Sequence, residues 1–339
     1  VPDEEIDSYV EEFLENFELG WSGSRYGVLW SGQNEEADPS YTALATVSAE
    51  GSVEGVTHAC EVYSADCRGA DFTWAGASWG MALVNWSGTM LFDSYTTPAV
   101  SLGPYSGWPQ IAWSGSEYGL ILANSTNLYF TRVSAAGARI GTETLATSGT
   151  VQPGGASLVW AGSVFGLAWS DRRDGNNEIY FRRISGTGAL IGSDIRITNT
   201  TGISASPDLL WTGTEFGVAW GDQMSGTQLD VYFARISGTG AKLTSDLRMT
   251  TSGGGDPDLA WTGTQFGLTW IGSGTRIPFM LVSQAGVIVG STIFASTGTE
   301  SQYYEPQVVW SGSEFGITFG GGDGYHAYRL YMNAISYCE

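Results

Sequence analysis

Between Phe216 and Trp220 apolar residues fall on alternate positions, the period of a strand with one buried face. Asp208–Trp211 precedes this run, and Asp230–Ile236 and Lys242–Met249 follow it. Each is short, and each is bounded by Gly, Ser and Thr. No helical period runs through this stretch. The pattern predicts four strands joined by tight turns.

The unit recurs. Seven copies of Trp-x-Gly-x-x-aromatic-Gly begin at Trp21, Trp74, Trp113, Trp160, Trp211, Trp261 and Trp310. Their aromatic members are Tyr26, Trp79, Tyr118, Phe165, Phe216, Phe266 and Phe315. The copies are roughly 40–50 residues apart, the length of a four-stranded propeller blade. The sequence therefore predicts an all-β protein: a seven-bladed β-propeller of four-stranded antiparallel blades over 19–339. Two features depart from the repeat. Ile6, Tyr9, Val10, Phe13, Leu14 and Phe17 are spaced as on one face of a helix, so residues 1–18 are expected to form a short amphipathic helical segment. Blade seven ends after its third strand. The N-terminal segment could supply a fourth, but its helical spacing speaks against that.

Segment Ser170-Asp-Arg-Arg-Asp-Gly-Asn-Asn-Glu-Ile-Tyr180, with Ile197-Thr-Asn-Thr200 after it, resembles the TolB-type propeller repeat of secreted bacterial proteins. The detailed match covers residues 158–200, and the turn departs from that family's Trp-Ser-Pro-Asp-Gly. The resemblance implies a propeller that is secreted or at the cell surface, the periplasm included.

Composition narrows the function. A net charge of -21, with Lys242 the one lysine, repels nucleic acid and anionic lipid. No apolar run is long enough to span a membrane. Cys60 and Cys67 are close enough to close a small loop, which leaves Cys338 over. Gly76-Ala-Ser78-Trp-Gly80 spells a nucleophile elbow but is only the blade repeat, and no zinc pattern accompanies His58 and His326.

The Ser-Gly-Ser and Thr-Gly-Thr turns are uniform, whereas the second-to-third loops and blade-to-blade links vary. Any site is expected on the variable face. Of 14 tryptophans, the repeat accounts for all but Trp86 and Trp108 as blade packing. These two, with Tyr105, Asp222, Tyr303, Tyr304, Asp323, Tyr325 and His326, form the candidate ligand-binding set. Asp171, Asp174, Asn176 and Glu178 offer hard oxygen ligands that suit calcium, the one cofactor with a candidate site. The leading expectation is an extracellular, non-enzymatic binding or scaffold module for a protein or carbohydrate polymer. A lectin using the loop aromatics is one alternative. A glycan-cleaving enzyme is the other, with a carboxylate pair drawn from loop acids such as Glu35, Glu36 and Asp38.

Overall fold

The computed structural model describes residues 4–8, 12–34, 41–58, 67–85, 87–94, 99–105, 107–147, 154–223, 228–298, 300, 302–322 and 327–336. All regular structure among them is strand. Blade one comprises β2 (Glu12–Trp21), β3 (Arg25–Asn34), β4 (Tyr41–Ser48) and β5 (Val53–His58). Blade two has β6 (Cys67–Trp74), β7 (Trp79–Asn85), β8 (Met90–Asp93) and β9 (Val100–Gly103). Blade three has β10 (Gln110–Trp113), β11 (Glu117–Ala123), β12 (Leu128–Ser134) and β13 (Arg139–Leu145). Blade four has β14 (Ala156–Trp160), β15 (Val164–Asp171), β16 (Glu178–Ser185) and β17 (Leu190–Arg196). Blade five has β18 (Ser204–Trp211), β19 (Glu215–Asp222), β20 (Asp230–Ser237) and β21 (Leu247–Arg248). Blade six has β22 (Gly255–Trp261), β23 (Gln265–Ile271), β24 (Pro278–Ser283) and β25 (Ile288–Phe294). Blade seven has β26 (Gln302–Trp310), β27 (Glu314–Gly322) and β28 (Ala327–Ser336), and takes β1 (Glu4–Ser8) as its fourth strand. This is a seven-bladed β-propeller. By contact density the chain divides into two compact units, Asp71–Pro257 and Val1–Ala70 with Asp258–Glu339.

The expected N-terminal helix is corrected to strand. Glu4–Ser8 pairs with β28, and Glu12–Trp21 opens blade one. The helical spacing has a local cause. The β2–β3 register shifts between Glu15 and Glu18, where Asn16 adopts a positive φ of 58°. The bulge puts Leu14, Phe17 and Leu19 all into the core, three and then two residues apart. An interrupted strand thus imitates the helical period.

The repeat motif is a packing device. Each motif Trp leans on its own motif aromatic, as in Trp113–Tyr118, Trp160–Phe165 and Trp211–Phe216 with ring centroids 4.6 Å apart. The closing glycine seats the next blade. A Cβ on Gly119 or Gly166 would lie 2.5 Å from Phe165 or Phe216. Within the other unit, Gly267 faces Phe315 and Gly316 faces Tyr26 in the same way. In five of the seven copies a Ser or Thr before the turn glycine locks the turn, the other two having Ala75 and Ala161: Thr212 Oγ1 donates to the Glu215 carbonyl at 2.9 Å and accepts the Glu215 N–H at 3.1 Å. Trp30, Trp169, Trp220 and Trp270 are buried.

First strands of neighbouring blades lie against one another within each unit, as β10, β14 and β18 do. They are the inner strands. Fourth strands such as β13 and β25 are the more exposed.

Candidate functional site

Two levels of the inner strands carry the candidate chemistry. The first lies three residues before each motif Trp. This position is polar in every copy: Glu18, Asp71, Gln110, Ser157, Asp208, Asp258 and Gln307. Within the unit Asp71–Pro257 these side chains tie consecutive blades. Asp71 Oδ2 accepts the Ile111 N–H at 2.7 Å, and Ser157 Oγ accepts the Leu209 N–H at 3.0 Å while bonding to Asp208 Oδ1 at 3.2 Å. In the other unit Asp258 Oδ2 accepts the Val308 N–H at 2.6 Å. Burial pushes the Asp71 carboxyl up to about 7. The Ile111 and Phe72 N–H groups oppose this rise, and the negative charge of Asp208 adds to it.

The second level is two residues earlier, at the variable-face end of the strand. Asn16, Ser206, Asp256 and Glu305 hold this position in four blades, and all four have positive φ, between 42° and 58°. Three of them precede proline, at Pro207, Pro257 and Pro306, where a left-handed backbone is disfavoured further. Strain repeated at one level of a repeat is held there by the surrounding structure. One hold is visible in the unit containing both ends of the chain. Glu305 Oε2 accepts the N–H groups of Asn16 at 2.8 Å and Phe17 at 3.3 Å. Blade three places Trp108 at this level, also before a proline, and its ring is 55% exposed.

The sequence-derived ligand set separates on this frame. Among the described members Trp108 is the exposed one. Tyr105 is buried, packs tilted against Tyr129 with ring centroids 5.6 Å apart and donates to Glu143 Oε1 at 3.2 Å. Burial first, and then Glu143, hold its hydroxyl above its ordinary pKa. Asp222 is buried at the end of β19, accepting from Ser204 Oγ at 2.7 Å and Trp220 Nε1 at 3.1 Å. Tyr303 and Tyr304 lie within β26, and Tyr303 is buried against Phe319. Trp86, Asp323, Tyr325 and His326 lie outside the described residues, as does Cys60.

The candidate calcium ligands are engaged with other groups. Asp171 accepts from Trp169 Nε1 at 3.2 Å and Arg173 Nε at 2.8 Å. Glu178 is buried and accepts from Arg196 Nη2 at 2.9 Å, Thr198 Oγ1 at 2.5 Å and the Thr200 N–H at 3.0 Å. Asn176 Nδ2 donates to Glu178 Oε1 at 3.1 Å. Asp174 pairs with Arg196 Nη1 at 2.9 Å and accepts from the Tyr180 hydroxyl. Among the described residues no cluster of three or more His, Cys, Asp or Glu side chains is arranged to hold a metal ion. The Glu178–Arg196–Thr198 arrangement recurs as an outer clasp in blade five, where Arg248 Nη2 meets Asp230 Oδ2 at 2.5 Å and Thr250 Oγ1 accepts the Val231 N–H at 2.9 Å.

No family model matches the chain, and no curated protein matches it. Solved structures share its fold. It is similar to a Mycobacterium tuberculosis puromycin-hydrolyzing peptidase, at 11% identity and TM-score 0.58, over 95% of this chain and 53% of that one. It is similar to Chaetomium thermophilum Raptor at 8% identity and TM-score 0.58, over 99% of this chain and 30% of that one. Prolyl oligopeptidase B from Galerina marginata is similar at 11% identity and TM-score 0.56, over 92% of this chain and 48% of that one. The likeness extends to the fold, and the chain spans about half the length of these proteins or less.

The inner-strand acids lie on strands and not in the variable loops where the sequence points to a site. Their signal was in the sequence: a polar residue three places before every motif Trp. Sequence reasoning treated that position as part of a packing strand.

Proposed function

We propose that the chain is a secreted binding module that takes an extended polymer, protein or carbohydrate, across the variable-face end of its inner strands. One observation carries the reading. Trp108 presents an exposed indole at the level where four other blades hold strained backbone. An aromatic face on a rigid strand end is suited to stacking on a sugar ring or anchoring a partner side chain. The acidic chain favours neutral or cationic partners. The TolB-type resemblance of residues 158–200 supports secretion. A glycan and polypeptide binding screen, run with and without calcium, tests the proposal. Binding to at least one polymer class should fall tenfold or more in Trp108→Ala. A hit that Trp108→Ala leaves unchanged removes this site from the reading.

A glycan-cleaving enzyme is the second reading, favoured by Asp71 and Asp208, one carboxyl raised and the other a nearby negative charge. Against it, both Asp71 oxygens already accept backbone N–H groups, from Phe72 and Ile111, each at 2.7 Å. Hydrolysis of aryl glycosides that disappears in Asp71→Asn and Asp208→Asn would make this the better reading.

A further inference from the structure

Blades three and five repeat one ion pair. Glu117 and Glu215 stand just before their blade's motif aromatic, and Arg132 and Arg235 stand on the third strand opposite its motif glycine. Each guanidinium grips its carboxylate with two bonds. Arg132 Nε and Nη2 donate to Glu117 at 2.6 and 3.0 Å, and Arg235 Nε and Nη2 donate to Glu215 at 2.8 and 2.7 Å. Arg132 also crosses to the next blade, where its Nη1 donates at 3.0 Å to the carbonyl of Thr187 in the turn between β16 and β17. Elsewhere the copies divide this pair. Blade four keeps the arginine, Arg183, with Val164 in place of the acid, and Arg183 Nη1 donates to the Gly238 carbonyl in the corresponding turn of blade five at 3.4 Å. Blade seven keeps the acid, Glu314, and has Ala334 opposite its motif glycine.

A cavity of about 230 Å³ lies beside this acid. Its lining holds both ends of the contact that Arg132 makes in blade three: Glu314 and Ala334 from blade seven, and residues 49–51 from the turn of blade one, all in one unit. Residues 48–51 are the counterpart of 185–188. In each turn the glycine N–H donates to the serine carbonyl, at 3.0 and 2.9 Å, and the glycine φ is 93° and 90°. Glu50 takes the place of Thr187. Tyr26, the motif aromatic of blade one, donates its hydroxyl to Glu314 Oε1 at 3.3 Å, one long bond where the arginines give two short ones. Burial first, with the negative charge of Glu314 adding to it, pushes that hydroxyl up to about 12, so it stays a donor. Among the described residues no cation pairs with Glu314 or Glu50. The space goes with a difference in the sequence itself, alanine in place of arginine, and every residue that lines it is described.

We propose that this cavity binds a guanidinium on an alkyl stem, entering as the arginine that blade seven lacks. The planar fork meets Glu314, a further N–H meets the turn at Glu50, and the stem lies along Ala334. The volume is below the roughly 300–1,000 Å³ that encloses a drug-sized ligand, so it takes one group the size of a side chain. The net charge of -21 draws cations towards it. A free small molecule and an arginine of a partner protein carry the same group, and the same contacts serve both. The inference is independent of the Trp108 reading, since this cavity lies at the turn end of its blades and not at the strained level of the inner strands.

The probe is Nα-acetyl-arginine methylamide, titrated into the full chain by calorimetry in about 0.15 M salt, where long-range attraction is screened. Saturable binding is expected with a Kd of roughly 0.1–1 mM, ordinary for a ligand of this size. The citrulline counterpart, which keeps the shape and loses the charge, should bind at least tenfold more weakly. The lysine counterpart should lose severalfold, because an ammonium cannot fork. Glu314→Gln should also weaken binding at least tenfold. Ala334→Arg supplies the group from within, and should abolish binding with a thermal midpoint at or above that of the parent. A midpoint for Glu314→Gln within a few degrees of the parent separates lost binding from lost fold, and the citrulline arm uses the parent protein. Butylguanidine and acetyl-Gly-Arg-Gly-amide distinguish the sources: tighter binding of the first supports a free ligand, and of the second a partner's arginine. Absence of saturable binding by any of the guanidinium compounds overturns the proposal. Equal binding of the citrulline compound does the same, as does undiminished binding to folded Glu314→Gln or Ala334→Arg.

Discussion

Two groups of carboxylates in the unit Asp71–Pro257 keep contrasting company. At the outer clasps, Glu178 and Asp230 meet Arg196 and Arg248, with a threonine completing each set. At the inner strands, Asp71 meets two backbone N–H groups and the field of Asp208. Both groups join pieces of backbone. The outer acids are matched by cations and act as fixed scaffold. Among the described residues no cation pairs with the inner acid, and burial raises its carboxyl. A buried acid therefore reveals little until its countercharge is known.

Three experiments can break or sharpen that contrast. The largest effect is expected at the outer clasp. Glu178→Ala removes the acceptor of Arg196 Nη2, the Thr198 hydroxyl and the Thr200 N–H, and should cost about 3 kcal/mol in urea unfolding. A loss under about 1 kcal/mol would mean that the clasp is replaceable by water.

The inner joint should respond to pH instead. The folded carboxyl of Asp71 sits at about 7 against an ordinary 3.8, so the native state holds this proton more tightly than the unfolded chain does. That contribution is complete below pH 3.8 and is lost as pH rises through 7. Asp71→Asn keeps an acceptor for Ile111 and removes the titration. It should raise stability at pH 8 by on the order of 2 kcal/mol and by much less at pH 5. Equal effects at the two pH values would show that Asp71 does not titrate in this range.

The smallest effect belongs to the exposed rim. Trp108→Ala should change unfolding stability by no more than about 0.5 kcal/mol, as for other surface positions, and act on ligand binding alone. A cost of several kcal/mol would reclassify Trp108 as packing.

Much of the architecture was legible because each motif residue has one packing task. Trp211 covers Phe216, Phe216 fills the space left by Gly166, and Thr212 closes the turn. These are local or nearest-neighbour relations that recur from blade to blade, and repetition averages out accident. The N-terminus misled because one bulge at Asn16 breaks the two-residue period. Hydrophobic spacing cannot distinguish a bulged strand from a helical turn over so few residues. The site was less legible still. Asp222 and Tyr105 looked like loop residues open to a ligand, yet both are buried and bonded. Their partners, Ser204 and Glu143, lie 18 and 38 residues away in the chain. Burial that arises from such distant partners leaves no mark in the local sequence.

The pairing of Glu4–Ser8 with β28 also has a consequence in time. It joins segments separated by nearly the whole chain, so it is the contact with the greatest loop to close. Hairpins such as β15–β16 can form as soon as their residues exist, whereas this pairing must wait until both ends are available. The pairing of β1 with β28 thus forms after the hairpins that lie between them in the chain. Once made, it seals the outer edge of β28 along Arg329–Met332 with Glu4–Ser8.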